Sequence, residues 1–276
     1  METIILLVSI GIIVGTLGTL IGAGGGFILV PVLMFLYPNY STETITAISI
    51  AAVACNAISG SSAYMVAKRV DYKAGIIFAL CTIPGSVLGV YSTKLISRTL
   101  FDTVFGILLC GLGIYLFLKG GQRIISENHL KPQKGLTYQK ITDKSGHTYE
   151  YSYSMKKGGI FSVFVGYFSP LLGIGGGIIH VPFISEWLKF PVHIATATSH
   201  FILAIMATVS VIVHYYNGVY DSPIIANTVI SISAGIVVGA QIGAYLSKLI
   251  KGKMIIKALS ICLAIVGLRI LLLQVT

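Results

Sequence analysis

Charge is what this sequence has least of. Only 10% of its 276 residues are charged, and acidic residues are the scarcer kind, 9 against 19 Lys and Arg. Soluble domains carry about 25% charged residues. A soluble fold of this length has nowhere to hide a chain that is 55% hydrophobic with mean hydropathy +0.90. Lipid as the solvent removes the difficulty, because apolar side chains then face outward. The net charge of +10 is accordingly read as loop charge that sets membrane orientation. It does not read as a nucleic-acid surface, since no basic patch is interleaved with stacking aromatics.

Other scarcities exclude more. The four cysteines, Cys55, Cys81, Cys110 and Cys262, lie inside apolar runs with neither metal-ligand nor disulfide-framework spacing, so they read as packing residues. Carboxylates are missing from the centres of the apolar segments. Glu43, Asp71, Asp102, Glu186 and Asp221 fall near ends or loops, which speaks against a carboxylate proton relay or a carboxylate-built sodium site. Sodium held by backbone carbonyls at broken helices stays open. There is no His-Glu-x-x-His, no nucleophile motif and no Walker-type loop, so neither intramembrane enzyme chemistry nor direct ATP drive is supported. No cofactor is implied. No basic stretch precedes the first apolar run, so Ile4–Leu20 is expected to stay as a membrane helix, with cleavage near Gly22 as the alternative.

What is abundant is long apolar sequence. Crossing a bilayer takes about 20 helical residues, and six segments qualify: Ile45–Ala67, Ala74–Thr93, Thr99–Leu118, Ile194–Tyr216, Pro223–Ser247 and Met254–Leu273. Two further stretches, Ile4–Tyr37 and Gly158–Phe190, are interrupted by glycines. The one long polar stretch, Gly120–Lys157, reads as a solvated linker, with a short hairpin around Ser145-Gly146 as an option.

The two halves repeat each other. Gly22-Ala-Gly-Gly-Gly-Phe-Ile-Leu-Val-Pro31 lines up with Gly173-Ile-Gly-Gly-Gly-Ile-Ile-His-Val-Pro182. Downstream, Thr46–Ser49 matches Thr196–Ser199, Gly85/Gly89 matches Gly235/Gly239, and Leu95-Ile96 matches Leu249-Ile250. The expected domains are a first transmembrane repeat (1–119), a cytoplasmic linker (120–157) and a second transmembrane repeat (158–276).

Orientation follows from Lys and Arg. If each glycine-broken stretch is a re-entrant hairpin, the N-terminus is outside. Lys68/Arg69/Lys73, the linker, Lys189 and Lys248/Lys251/Lys253/Lys257 then face the cytoplasm, and only Lys94, Arg98 and Arg269 fall on or near the outside. If both broken stretches instead cross fully, the N-terminus moves inside. Hairpins are preferred because Phe27–Tyr37 and Ile178–Phe190 are short for a crossing at about 1.5 Å per residue. The expected fold is therefore an all-α integral membrane protein. It has two inverted-topology repeats, each a re-entrant helical hairpin plus three transmembrane helices, located in the cell (inner or plasma) membrane.

The glycine motifs carry the candidate chemistry. Gly24, Gly25 and Gly26, and Gly175, Gly176 and Gly177, each end one helical piece and begin another, because glycine costs about 1 kcal/mol against alanine inside a helix. The break leaves N–H groups unpaired, and the positive end of the next helix favours an anion. The competing reading is close helix packing, as in small-xxx-small motifs. That reading is preferred for single glycines such as Gly85 and Gly89. Pro31 and Pro182 are expected to kink or end the short helices.

The paired G-x-G-G-G-x-x-x-x-P motifs, the duplication and the size together resemble the TauE/SafE family of membrane anion exporters, over nearly all but the linker. The resemblance implies export of sulfite or small organosulfonates such as sulfoacetate. The linker maps onto no family role.

Intramembrane polar residues are functional candidates by default. Ser49 and Asn56 lie two turns apart on one face, and Ser199 and His200 occupy the corresponding segment of the second half. These four are expected to complete the anion site. For Thr46 and Thr196, bonding to their own helix is the competing account. His200 is the proton-linked candidate, His180 could line the same cavity, and His193 and His214 read as interfacial. The leading function is a secondary transporter of small anions. An anion channel is the alternative, and a scaffold would not need two broken helices. Its partners would be the anion, the bilayer and a coupling proton, with a homodimer as one assembly option and no nucleic acid.

Overall fold

The computed structural model describes residues 2–119, 135–247, 249–250 and 252–272. The first part of the linker, with His129, lies outside the described residues, as do Lys248 and Lys251. The chain is an all-α membrane protein with one small hairpin. Its elements are α1 (Glu2–Ile21), α2 (Gly26–Leu36), α3 (Thr42–Val66), α4 (Tyr72–Thr93), α5 (Arg98–Lys119), β1 (Thr137–Thr142), β2 (Thr148–Tyr153), α6 (Met155–Leu172), α7 (Gly177–Pro182), α8 (Val192–Tyr216), α9 (Pro223–Leu246) and α10 (Gly252–Leu272). A π-helical turn, Phe183–Trp187, follows α7.

Among the described residues six helices, α1, α3, α4, α5, α8 and α9, are long and apolar enough to cross a membrane. The stretch Met254–Leu273, expected to cross, forms most of the 21-residue α10, and α1 stands among the six in its place. Large apolar side chains such as Ile5, Ile13, Leu80, Leu88, Phe164 and Ile230 point outward, as expected where the surroundings are lipid.

Both glycine runs break the helix where the sequence places the break. Gly22, Gly24 and Gly25, and Gly173, Gly175 and Gly176, take positive φ values of 68–81°, which residues with a Cβ rarely adopt. The prolines act differently. α2 runs through Pro31 to Leu36, a length of about 16 Å. α7 ends at Pro182 and relaxes into the π turn.

The helices of the two halves interleave. A Cβ added at Gly235, Gly239 or Gly243 of α9 would strike the carbonyl oxygens of Val8, Ile12 and Thr16 on α1. Added at Gly85 or Gly89 of α4, it would strike those of Val163 and Tyr167 on α6. These single glycines are packing residues, and they let α1 run parallel to α9, and α6 parallel to α4, at close range. α3 and α8 cross at the centre. Ile50, Val53 and Ala57 of α3 pack there with Leu203, Met206 and Ala207 of α8.

The polar linker holds a surprise. The hairpin suggested around Ser145-Gly146 forms, with Thr137 opposite Tyr153 and Thr142 opposite Thr148, but it is not a solvated loop. Tyr151 and Tyr153 are buried against Phe78 and Phe190. The alternation of tyrosines along β2 gives the hairpin one apolar face, and that face docks on the helices.

Candidate functional site

The two glycine breaks meet. A Cβ on Gly26 would lie 2.4 Å from the Gly173 carbonyl oxygen, and one on Gly177 would lie 2.3 Å from that of Gly22. Each break thus covers the other with backbone. Two serines tie them across the halves: Ser49 Oγ donates to the Gly173 carbonyl (2.6 Å), and Ser199 Oγ reaches the Gly22 carbonyl (3.5 Å). Val53 and Leu203 sit over Gly24, and Val53 over Gly175. The glycines therefore serve close backbone crossing as well as any ligand. At the start of α7 the Gly177 N–H closes on the Gly175 carbonyl (2.9 Å), and the Gly25 and Gly176 carbonyls accept from Ile28 and Leu29 and from Ile179 and His180.

Beside this crossing lies a buried polar cluster. Thr19 Oγ1 donates to Asn56 Oδ1, and His200 Nε2 stands 3.2 Å from the same oxygen and 3.3 Å from Thr19 Oγ1. Asn56 Nδ2 donates to the Gly15 carbonyl (3.3 Å), and Tyr64 donates to the Thr19 carbonyl (2.7 Å) with its ring edge-on to His200. The amide oxygen of Asn56 can only accept, so His200 carries its proton on Nε2 in this arrangement. Nδ1 is buried without a hydrogen bond of ordinary geometry, and the Gly22 carbonyl faces the ring. Gly60 makes room for the ring: a Cβ there would lie 2.7 Å from it. Thr19, Asn56 and His200 are all fully buried.

Of the residues expected from sequence, Asn56 and His200 come together directly, and Ser49 and Ser199 brace the two breaks a turn or two away. His180 is placed elsewhere. Its Nε2 pairs with Ser162 of α6 (3.1 Å), and Phe161 is its ring neighbour. Thr46 bonds to the carbonyls of Thr42 and Glu43 in its own helix. Thr196 does not follow it: its buried Oγ1 has no partner and its methyl faces Gly22. His214, read as interfacial, is fully buried. Sequence reasoning missed Thr19 and Tyr64. A lone threonine three residues before the glycine run was the available signal.

Among the described residues no group of His, Cys, Asp and Glu could hold a metal ion. A polar cluster held between crossing helices, next to paired helix breaks and inside an apolar bundle, defines a polytopic membrane protein of transporter type. The profile of the sulfite exporter TauE/SafE family matches residues 7–270, and the chain belongs to that family. It is 32% identical over 275 residues to YunE of Bacillus subtilis (strain 168), described as a "probable membrane transporter protein", with 97% of each chain covered. It is also 28% identical to a "probable membrane transporter protein", MJ0441, of Methanocaldococcus jannaschii, over 70% of this chain and 66% of that one. A Haemophilus influenzae relative with the same description is 25% identical, over 67% of this chain and 62% of that one. No solved structure matches.

Proposed function

We propose that the protein is a secondary transporter that exports small sulfur-containing anions such as sulfite or short organosulfonates. The observation that carries this reading is the buried Thr19–Asn56–His200 cluster beside the crossing of the two glycine breaks. An apolar bundle has no structural need for an amide, a hydroxyl and an imidazole that spend their bonds mainly on one another. Hydroxyl and amide groups of that kind can rotate toward an oxyanion, and a proton on Nδ1 of His200 would turn the ring into a double donor with positive charge. Sulfite is the substrate that the family's name carries.

Inverted repeats are part of the reading, with 1–119 and 158–276 as the two units and 120–157 as a cytoplasmic linker. Contacts between element ends support it. α1 runs parallel to α9, whose start follows Tyr220, and Tyr220 donates to the Ala47 carbonyl near the start of α3. α2 ends just before α3, where Arg98 holds the Tyr40 carbonyl. The α1–α2 unit therefore returns to the end it started from. α6 runs parallel to α4 from the opposite end, and the α7 unit returns there at Phe190, beside the hairpin. Lys68, Arg69, Lys73 and Lys189 gather at that hairpin end, which suits the cytoplasmic side. An anion bound at the cluster beside the crossed breaks would be exposed alternately as one unit rocks against the other.

Uptake of labelled sulfite into liposomes tests this, with sulfoacetate, taurine and sulfate as competitors and at two pH gradients. Saturable uptake with selective competition is expected. Uptake no greater than in empty liposomes would remove sulfite as substrate.

A further inference from the structure

The geometry points to a second moving part: the β1–β2 hairpin is a latch that ties the two halves together at one mouth of the bundle and must release during transport. This rests on the transport reading above. The hairpin grips the first half at the α3–α4 turn. The Lys144 N–H donates to the Ala67 carbonyl (3.0 Å), and the Arg69 guanidinium donates to Asp143 Oδ2 (3.2 and 3.3 Å) in a buried ion pair. Asp143 Oδ1 accepts the N–H groups of Ser145 and His147. The carboxylate is thus fully partnered, as a buried charge requires.

The same hairpin grips the second half. The Tyr151 ring packs on Phe190, 4.4 Å between centroids, just ahead of α8, and β2 leads straight into α6. One residue joins the two grips. Asp71 Oδ2 accepts the Tyr151 hydroxyl (2.8 Å), its Oδ1 caps α4 through the Ala74 N–H (3.0 Å), and its own N–H donates to Thr198 Oγ1 (3.0 Å). Thr198 lies on α8 two residues before His200. The latch is therefore two hydrogen bonds from the helix that carries the imidazole. Burial, then the Asp71 carboxylate beside it, push the Tyr151 phenol well above its ordinary pKa, so it stays a donor at Asp71.

Ala67, Arg69 and Asp71 belong to the first half, and Phe190 and Thr198 to the second. Rocking one half against the other separates these residues, and a hairpin bonded to both cannot follow both. Either the Arg69–Asp143 and Ala67–Lys144 contacts open, or the halves stay fixed. Asp71 is in this sense a positioning residue, acting on the site through Thr198.

A reversible lock tests it. Ala67 and Lys144 are joined by a backbone hydrogen bond, which places their Cα atoms near disulfide range. The double variant Ala67→Cys/Lys144→Cys, in liposomes, is assayed for uptake of labelled sulfoacetate, which unlike sulfite does not cleave disulfides, when reduced, oxidised and reduced again, with each single variant as a control for the native cysteines. The expected result is at least a tenfold loss of initial rate on oxidation of the double variant alone, restored by reductant. Equal rates in fully cross-linked and reduced protein would overturn the latch. If the reduced protein carries no sulfoacetate, the organosulfonate reading fails instead, and hydrogen exchange decides the latch without substrate. Asp143→Asn is expected to speed exchange at least threefold both in 148–153 and around Thr198. Faster exchange in the hairpin alone would overturn the coupling.

Discussion

Alanine at Gly26 or Gly177 tests whether the crossing of the two breaks sets the geometry of the site. At Gly26 the new methyl would lie 2.4 Å from the Gly173 carbonyl oxygen and 2.8–2.9 Å from the backbone of Ile174. At Gly177 it would lie 2.3 Å from the Gly22 carbonyl oxygen and 2.6 Å from the Ala23 Cα. All of these are backbone atoms, so no side chain can swing aside. Restoring ordinary contact at 3.4 Å moves the breaks apart by about 1 Å. Overpacking of this kind costs about 1–3 kcal/mol, and a 1 Å misplacement costs on the order of 10²-fold where positioning sets a rate. Each variant should therefore insert, melt at a lower temperature and lose roughly that factor in initial sulfite uptake. The double variant should lose less than the sum in stability, because one separation relieves both clashes. Gly111→Ala is the control, since its methyl meets nothing within 4 Å. The reasoning is refuted if Gly26→Ala and Gly177→Ala match Gly111→Ala in both melting and uptake.

Other outcomes follow from single contacts. Asn56→Leu removes the acceptor shared by Thr19 and His200 and should weaken sulfite binding at least tenfold, read from ligand-induced thermal stabilisation in detergent; unchanged affinity would move the site elsewhere. Thr46→Val loses only bonds to its own helix, so uptake should stay within twofold of wild type. The hairpin should also carry a pH signature. Burial works against the Asp143 carboxylate, but the N–H groups of Ser145 and His147 and the Arg69 guanidinium outweigh it and hold its pKa below the ordinary 3.8. A carboxyl depressed on folding contributes stability above its unfolded pKa and loses it as pH falls through the folded value. Hairpin protection in hydrogen exchange should thus be flat from pH 7 to about 4, with the Asp143 contribution lost only below that; loss near pH 6 would implicate a different group.

Much of this architecture is written plainly in the chain. Lipid-facing helices need long apolar runs, and a glycine triplet needs a break, so both could be read from residue types alone. Which helices pair could not. Gly85, Gly89, Gly235 and Gly239 announce close packing, but a glycine carries no mark of its partner, and α1 and α6 turn out to lie against helices of the other half. Asn56 and His200 stood out because amides and imidazoles are rare in such segments. Thr19 did not, because a lone threonine in a helix usually bonds to the preceding turn, as Thr46 does. Asp71 sat at a segment end, where a carboxylate reads as solvated, yet it is completely buried under Tyr151. The hairpin was hidden by its polarity: eleven of the seventeen residues from 137 to 153 are hydrophilic, and only the tyrosine alternation marks the face that docks.

Counterflow in liposomes tests the central claim most directly. Vesicles holding the protein are loaded with unlabelled sulfite and diluted into a trace of labelled sulfite. A carrier whose site opens alternately exchanges label inward faster than the load runs down. The account predicts a transient rise of internal label above the external concentration, weakened in Asn56→Leu. Equilibration without overshoot would contradict it and make the pathway a channel; no entry of label would contradict sulfite transport altogether.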